Sequence, residues 1–226
     1  LTMKKIIGKP TETNNRLISL IEKIKVNNFY LENNKDFRDQ ILKDISIKDE
    51  ILDIGKAMRD KFNKIDCASK ETLDVNDFGT YPDIVCDICS EVTGLENKYD
   101  KIICIAILEH VYDPFKAVSN LKKMLKDNGK IYGYVPYLFY YHAPQNLKFQ
   151  DYFRFSKDAL AYLFKDFNDV ELYPVRGRIS SSFNIMFAGR WKKYIEKTNL
   201  NIFLDKLSSS EKNLKQCSGF NFIVKK

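Results

Sequence analysis

The chain has 226 residues and a formal net charge of +7, with 44% hydrophobic and 30% charged residues. That is enough for one full hydrophobic core with decorations, and the balance is that of a soluble globular protein, which sets aside disordered and fibrous classes. No apolar run approaches the ~20 residues of a membrane span, and the lysines of LTMKKIIGKPTETNN lead into no extended apolar region, so no secretory signal and a cytoplasmic location are expected. The lysines are spread along the chain, so the positive charge reads as a solvated surface, and nucleic acid is not the favoured partner. Five cysteines, Cys67, Cys86, Cys89, Cys104 and Cys217, are an odd count that argues against a disulfide framework. Cys86 and Cys89 form a CxxC without a second pair, and only His110 and His142 could help; small apolar core residues are the simpler reading, and no metal is expected.

In chain order, Leu17, Leu20, Ile21 and Ile24 share one face of an amphipathic helix over 11–28, with Thr11 or Thr13 as cap. A second short helix covers 37–45. EILDIG, residues 50–55, is a buried strand ending in glycine. Strands follow at 71–75, with Asp74 near its end, and at 83–89, which carries Asp87. Residues 101–106 form an apolar run without alternation, the mark of a strand buried on both faces. Asp113 then offers an N-cap and Pro114 a first helical residue that needs no N–H. Phe115, Val118, Leu121 and Leu125 recur at helical spacing, and Asn128-Gly129 is expected to close the helix through a left-handed glycine. The strand 131–135 completes a right-handed parallel crossover, and Pro136 stops it. Beyond an aromatic run (Tyr137, Phe139, Tyr140, Tyr141) and His142 comes DYFRFS, 151–156, where Ser156 caps a helix bearing Leu160, Leu163, Phe164 and Phe167. Strands 169–175 and 219–225 bracket an insertion with helical stretches at 183–193 and 200–207. Phe183, Met186, Phe187, Trp191, Tyr194 and Phe203 give it an apolar face; Arg176, Arg178 and Arg190 would suit an anionic group.

The string ILEHVYDPFKAVSNLKKMLKDNGKIYGYVP, 107–136, resembles the central segment of class I S-adenosylmethionine (SAM)-dependent methyltransferases, with their LEH…DP turn and a strand ending in proline. EILDIG resembles the first motif of that family, although Lys56, Ala57, Met58 and Arg59 stand where two further glycines are usual. DYFRFS is similar to a D-Y-x-R-F-S/T signature whose bearers often act on glycans or related small acceptors, as in polysaccharide biosynthesis. The resemblance implies an α/β, Rossmann-like class I methyltransferase fold: a seven-stranded mixed sheet with helices on both faces and the last strand antiparallel. Its parts would be a helical cap (1–48), a SAM-binding core (49–175), a helical insertion serving as lid or dimer surface (176–218) and the final strand (219–226).

It also implies SAM as cofactor. Asp53 would sit near the ammonium group and Gly55 in the turn, where a glycine lets the backbone come close and a following helix N-terminus favours the carboxylate. Lys56 and Arg59 could meet the carboxylate by charge or be plain surface residues. Asp74 would accept the ribose hydroxyls, Asp87 beside Ile88 would hold adenine, and Ile105 would lie at the ligand-bearing strand end. For catalysis, His142 is the general-base candidate, or else a hydrogen-bonded loop histidine; His110 supports it or caps its own turn; Tyr141 and Tyr152 would shape the pocket. Arg154 would hold an acidic part of the acceptor, pair with Asp151, or do both. The expected function is O-methylation of a small glycan-related or anionic acceptor, with a homodimer open. The alternatives are a catalytically silent binding subunit, prompted by the missing glycines, and an RNA or DNA methyltransferase, prompted by the charge.

Overall fold

The computed structural model describes residues 18–19, 21–22, 25–26, 37–143, 146, 148–187 and 200–226. Most of the expected helix over 11–28 and residues 188–199 of the insertion, with Arg190, Trp191 and Tyr194, lie outside them. The strands are β1 (Lys25–Val26), β2 (Glu50–Ile54), β3 (Ser69–Asp74), β4 (Ile84–Val85), β5 (Tyr99–Ile105), β6 (Leu125–Pro136), β7 (Asp169–Val175) and β8 (Gly219–Lys225). They form one sheet in the order β1-β7-β8-β6-β5-β2-β3-β4. From β7 to β4 this is the expected seven-stranded mixed sheet, with β8 antiparallel to both β6 and β7 and the other pairs parallel. The two-residue β1, parallel to β7 at the edge, corrects the helix expected over 11–28, in which Lys25 and Val26 were to be helical: pairing with Glu171 and Leu172 makes them extended.

Alternation along the buried strands sends neighbouring residues to opposite faces. Leu52, Ile102, Cys104, Ile131 and Val135 pack on one face beneath α2 (Pro114–Met124) and α3 (Lys157–Leu163), while Ile51, Ile103 and Tyr132 pack on the other with Phe37 and Ile41 of α1 (Phe37–Asp44). Asp44, at the end of α1, ties that helix to the sheet through Tyr132 Oη, Lys101 and Lys130. The predicted caps form: Asp113 accepts from Lys116 N at 2.9 Å with Pro114 as the first helical residue, and Ser156 accepts from Ala159 N at 3.2 Å.

Three local expectations fail. α2 ends at Met124, Leu125 is already extended, and Asn128, at φ +65°, is the left-handed residue where Gly129 was expected. Gly129 serves by close approach instead: a Cβ there would lie 2.9 Å from Lys126 O and 3.1 Å from Asp100 O. The strand expected over 83–89 shrinks to Ile84–Val85, because Asp83 bonds Thr72 N and Oγ1 at 2.8 and 2.7 Å and Asp87 turns back onto Cys89 N at 2.8 Å. No α-helix follows β2. Gly55, Lys56 and Arg59 have φ of +67°, +53° and +53°, and the chain continues as a 3-10 helix, Arg59–Lys64.

The insertion contains α4 (Arg178–Met186), α5 (Leu200–Lys206) and α6 (Ser210–Lys215). α4 begins five residues before the expected 183 because Asp205 of α5, fully buried, caps it from across the gap. Its carboxylate accepts from Gly177 N at 2.6 Å, Ser180 N at 3.0 Å and Ser180 Oγ at 2.6 Å. Among the described residues no helix is long and apolar enough to cross a membrane.

Gly133 lies at mid-sheet, where a Cβ would overlap the Phe222 ring and lie 2.6 Å from Cys104 O. Gly133→Ala is therefore expected to destabilise the protein by about 1–3 kcal/mol. The measurement is the urea midpoint at unchanged m-value; an unmoved midpoint would contradict this packing.

Candidate active site

The C-terminal ends of β2, β3, β4 and β5 open onto one cavity of about 370 Å³, at the edge where open parallel sheets bind ligands. Gly55 and Lys56 enter it after β2, Asp74 at the end of β3, Asp87 and Ile88 after β4, and Ile105 and His110 at and after β5; His142 reaches it from the segment after β6. Of the sequence candidates, these eight share the cavity wall. Asp53, Tyr152 and Arg154 do not line it, nor do Tyr141 and the described residues of 176–218.

The wall begins with the turn after β2. Gly55 N donates to Leu73 O at 2.9 Å, which pins the turn to β3. A Cβ at Gly55 would lie 2.5 Å from Ile107 Cδ1, so the residue must be glycine for space as well as for its φ. Beneath the turn Asp53 is wholly buried; Oδ2 accepts from Met58 N at 3.1 Å and Oδ1 has no hydrogen-bond partner. Burial pushes its carboxyl up to about 7, against the opposing pull of the Met58 and Ala57 N–H groups and of Arg38. Asp53 thus shapes the turn from below, and its expected place beside a ligand's ammonium group is corrected. A helix N-terminus behind the turn is also missing, since only the 3-10 segment follows.

Cations take that place. Arg38, Lys56, Arg59 and Lys148 line the cavity. Arg38 Nε donates to Ala57 O at 2.6 Å, and Lys56 Nζ sits 3.9 Å above the Tyr81 ring. On the far wall Asp74 accepts from Asn76 N (2.8 Å), Asn76 Nδ2 (3.2 Å) and Tyr81 Oη (3.1 Å). A carboxylate has about four acceptor positions, so Asp74 keeps room for one more donor. Asp87 accepts from Cys89 N (2.8 Å) and Tyr112 Oη (3.0 Å) and keeps two. Asp77, three residues after Asp74, is exposed and accepts from Gly79 N in its own turn. Lys148 N donates to Asn76 Oδ1 at 3.1 Å, which ties Lys148 to the residues after β3.

At the β5 end lies a cluster that the sequence reading saw only in part. Glu109 is wholly buried, and neither carboxylate oxygen has a hydrogen-bond partner. His142 Nε2 and His110 Nε2 face its Oε1 at 3.6 and 3.8 Å, beyond hydrogen-bond length. The two imidazoles meet edge to face at 4.8 Å. Glu109 raises the His142 pKa above the ordinary histidine range, burial opposes it, and Asp151 adds to the rise.

Arg154 is accounted for by its neighbours. Nη1 and Nη2 fork onto the two oxygens of Asp151, Nη1 also donates to Phe153 O (2.8 Å), Nη2 to Tyr140 O (2.9 Å) and Nε to Phe139 O (3.3 Å). All five guanidinium N–H groups are committed, so a grip on an acidic acceptor is corrected to a clamp on the aromatic loop. Burial would raise the Asp151 carboxyl, but Arg154 and His142 together outweigh it and hold it at about 2. Asp151 Oδ2 in turn accepts from His142 N at 2.9 Å, so DYFRFS positions the histidine. Tyr152 is half exposed. Arg38, Tyr81, Tyr112, Lys148, Phe149 and Glu109 were missed; the signal that could have exposed Glu109 was its place beside His110 directly after a buried strand.

Residues 51–133, from β2 into β6, match the family model described as a methyltransferase domain. Curated protein sequences give no match. Among solved structures, a SAM-dependent methyltransferase from Archaeoglobus fulgidus is 17% identical, with a TM-score of 0.51 over 84% of this chain and 91% of that one. Phosphoethanolamine N-methyltransferase 2 from Haemonchus contortus, with phosphomonomethylethanolamine and S-adenosylhomocysteine, is 16% identical with a TM-score of 0.51; the match covers 95% of this chain and 57% of that one. The same enzyme with SAM matches at 19% identity and a TM-score of 0.50, with the same coverage. These likenesses show the Rossmann-like class I methyltransferase fold.

The raised pKa of Asp53 has a sign that can be tested. Between the ordinary aspartate value of 3.8 and about 7 the folded state binds this proton and the unfolded state does not, so stability falls as pH rises through that window. Each unit of difference corresponds to about 1.4 kcal/mol. Asp53→Asn is expected to flatten that component in unfolding curves from pH 4 to 7; a variant with the wild-type slope would contradict the assignment.

Proposed function

We propose that the protein is a SAM-dependent methyltransferase that methylates an oxygen of a small anionic acceptor, glycan-related by the likeness of its DYFRFS loop. One observation carries the reading: a single cavity receives four successive parallel strand ends, with a Cβ-free turn at the first and a carboxylate with spare acceptor capacity at the second and third. The methyltransferase-domain match over 51–133 supports it, as do neighbours of the same fold that carry SAM or its product.

The residues fit the cofactor. SAM supplies an electrophilic methyl group on a sulfonium. Asp74 would take a ribose hydroxyl and Asp87 the exocyclic amine of adenine, with Ile88 and Ile105 as apolar contacts. Lys56, Arg38 and Arg59 would neutralise the amino-acid carboxylate, the task a helix N-terminus otherwise performs. With two carboxylates against four cations in the wall, an anionic acceptor is favoured, and Lys148 is one of the cations to meet it. His142 Nδ1 faces the Tyr140 carbonyl at 3.2 Å. A carbonyl only accepts, so Nδ1 carries the proton and Nε2 is left with a lone pair to take the proton of an acceptor hydroxyl. Glu109 and Asp151 favour the charge on that imidazole, and Arg154 and Asp151 hold its loop.

Calorimetric titration of the full chain with SAM is expected to show binding that Asp74→Asn weakens about tenfold, the loss of roughly one charge-assisted hydrogen bond. Absence of heat from folded protein would overturn the reading in favour of a silent binding subunit. His142→Gln is expected to lower turnover about 10²–10⁴-fold while leaving SAM affinity unchanged. Binding to a random oligonucleotide that weakens steeply with salt would favour the nucleic-acid alternative.

A further inference from the structure

We infer that Glu109, His110 and His142 form a site for a divalent transition-metal ion at the acceptor end of the cavity. The three ligand atoms lie within 4.8 Å of one another, and both histidines line the cavity. The carboxylate is the informative member. Its two oxygens are wholly buried without a hydrogen-bond partner, and a buried carboxylate left so costs several kcal/mol, of the order expected for an uncompensated charge.

The histidines cannot relieve it in their neutral form. His110 Nδ1 lies 2.8 Å from Gln150 O and His142 Nδ1 lies 3.2 Å from Tyr140 O. Both partners are carbonyls, so both Nδ1 atoms carry hydrogen and both Nε2 atoms present lone pairs. Two lone pairs and a carboxylate therefore lie within 4.8 Å of one another, an arrangement that repels itself until a positive charge sits among them. It is also how metal-binding histidines are held, with the remote N–H on a backbone carbonyl or carboxylate. The 3.6 and 3.8 Å separations from Oε1 are close to the ~3.4 Å edge of a tetrahedron with bonds of about 2.1 Å.

Two nitrogens and one oxygen suit zinc, iron(II) or manganese(II) better than magnesium, which prefers an all-oxygen shell. The expectation of no metal weighed His110 and His142 only beside the CxxC; Glu109 adds a carboxylate next to His110, 33 positions before His142. Three protein ligands leave an open position toward the cavity for water or the acceptor's oxygen. An ion there would lower the pKa of a bound hydroxyl and release its proton to solvent, in place of proton transfer to His142. That catalytic meaning rests on the methyltransferase reading; the binding site does not.

The test uses zinc(II) and manganese(II) on the full chain. After equilibrium dialysis, elemental analysis is expected to find one equivalent per chain, and cobalt(II) substitution is expected to give visible absorption of a nitrogen- and oxygen-ligated ion. Affinity should fall about 10- to 100-fold or more in Glu109→Gln and in His142→Ala. His142→Ala changes a loop side chain that is a quarter exposed, and unfolding midpoints check that both variants fold. No uptake by folded wild-type protein, or uptake unchanged in both variants, overturns the site. SAM binding measured in the same samples separates the two proposals: SAM binding without metal uptake defeats only this one, and metal uptake without SAM binding defeats only the methyltransferase reading.

Discussion

The site depends on a steric constraint at the end of β2. The chain must turn away from the sheet within one residue while β3 and the segment after β5 press on it from either side. Gly55 N is bonded to Leu73 O, and the missing Cβ of Gly55 leaves the space that Ile107 occupies. Met58 N and Asp53 Oδ2 fix the other end of the turn. With the turn so placed, the ends of β3, β4 and β5 fall around one hollow; a bulkier residue at Gly55 would push the turn into it.

Two buried carboxylates lie near this edge, and they differ instructively. Asp53 has a backbone donor and titrates near neutrality, which fits a part that stabilises a turn. Glu109 has no donor and faces two imidazoles, each aligned by a backbone carbonyl. Full burial without a hydrogen-bond partner is costly, which sets Glu109 apart from Asp53. The clamp built from Arg154 and Asp151 serves the same end, since it fixes the loop from which His142 reaches in.

Much of this was legible in the sequence where the pattern was local. Strands β7 and β8 fall where the alternation put them, and Asp113-Pro114 and Ser156 start helices as their chemistry requires. The resemblance placed Asp53, Gly55, Asp74, Asp87 and Ile105 around one ligand; all but Asp53 line one cavity. What failed depended on partners distant in sequence. Asp83 turned to Thr72 and shortened a strand, and Asp205 capped α4 from another helix. Arg154 found all its acceptors within the loop, which one residue's chemistry could not reveal. Arg38 reaches the cavity because Asp44 docks α1 on the sheet, a contact with Lys101, Lys130 and Tyr132 that no local periodicity announces. The helix missing after β2 follows from Lys56 and Arg59 adopting left-handed φ, at roughly 1–2 kcal/mol each, in a turn dictated by its neighbours.

The most direct measurement is an amide NMR titration of the isotopically labelled chain with S-adenosylhomocysteine. Shifts are expected to concentrate at Gly55, Asp74, Asp87 and Ile88 and to leave α4 and α5 unmoved. Shifts confined to the insertion helices, or none at saturating ligand, would contradict the assignment of this cavity to the cofactor.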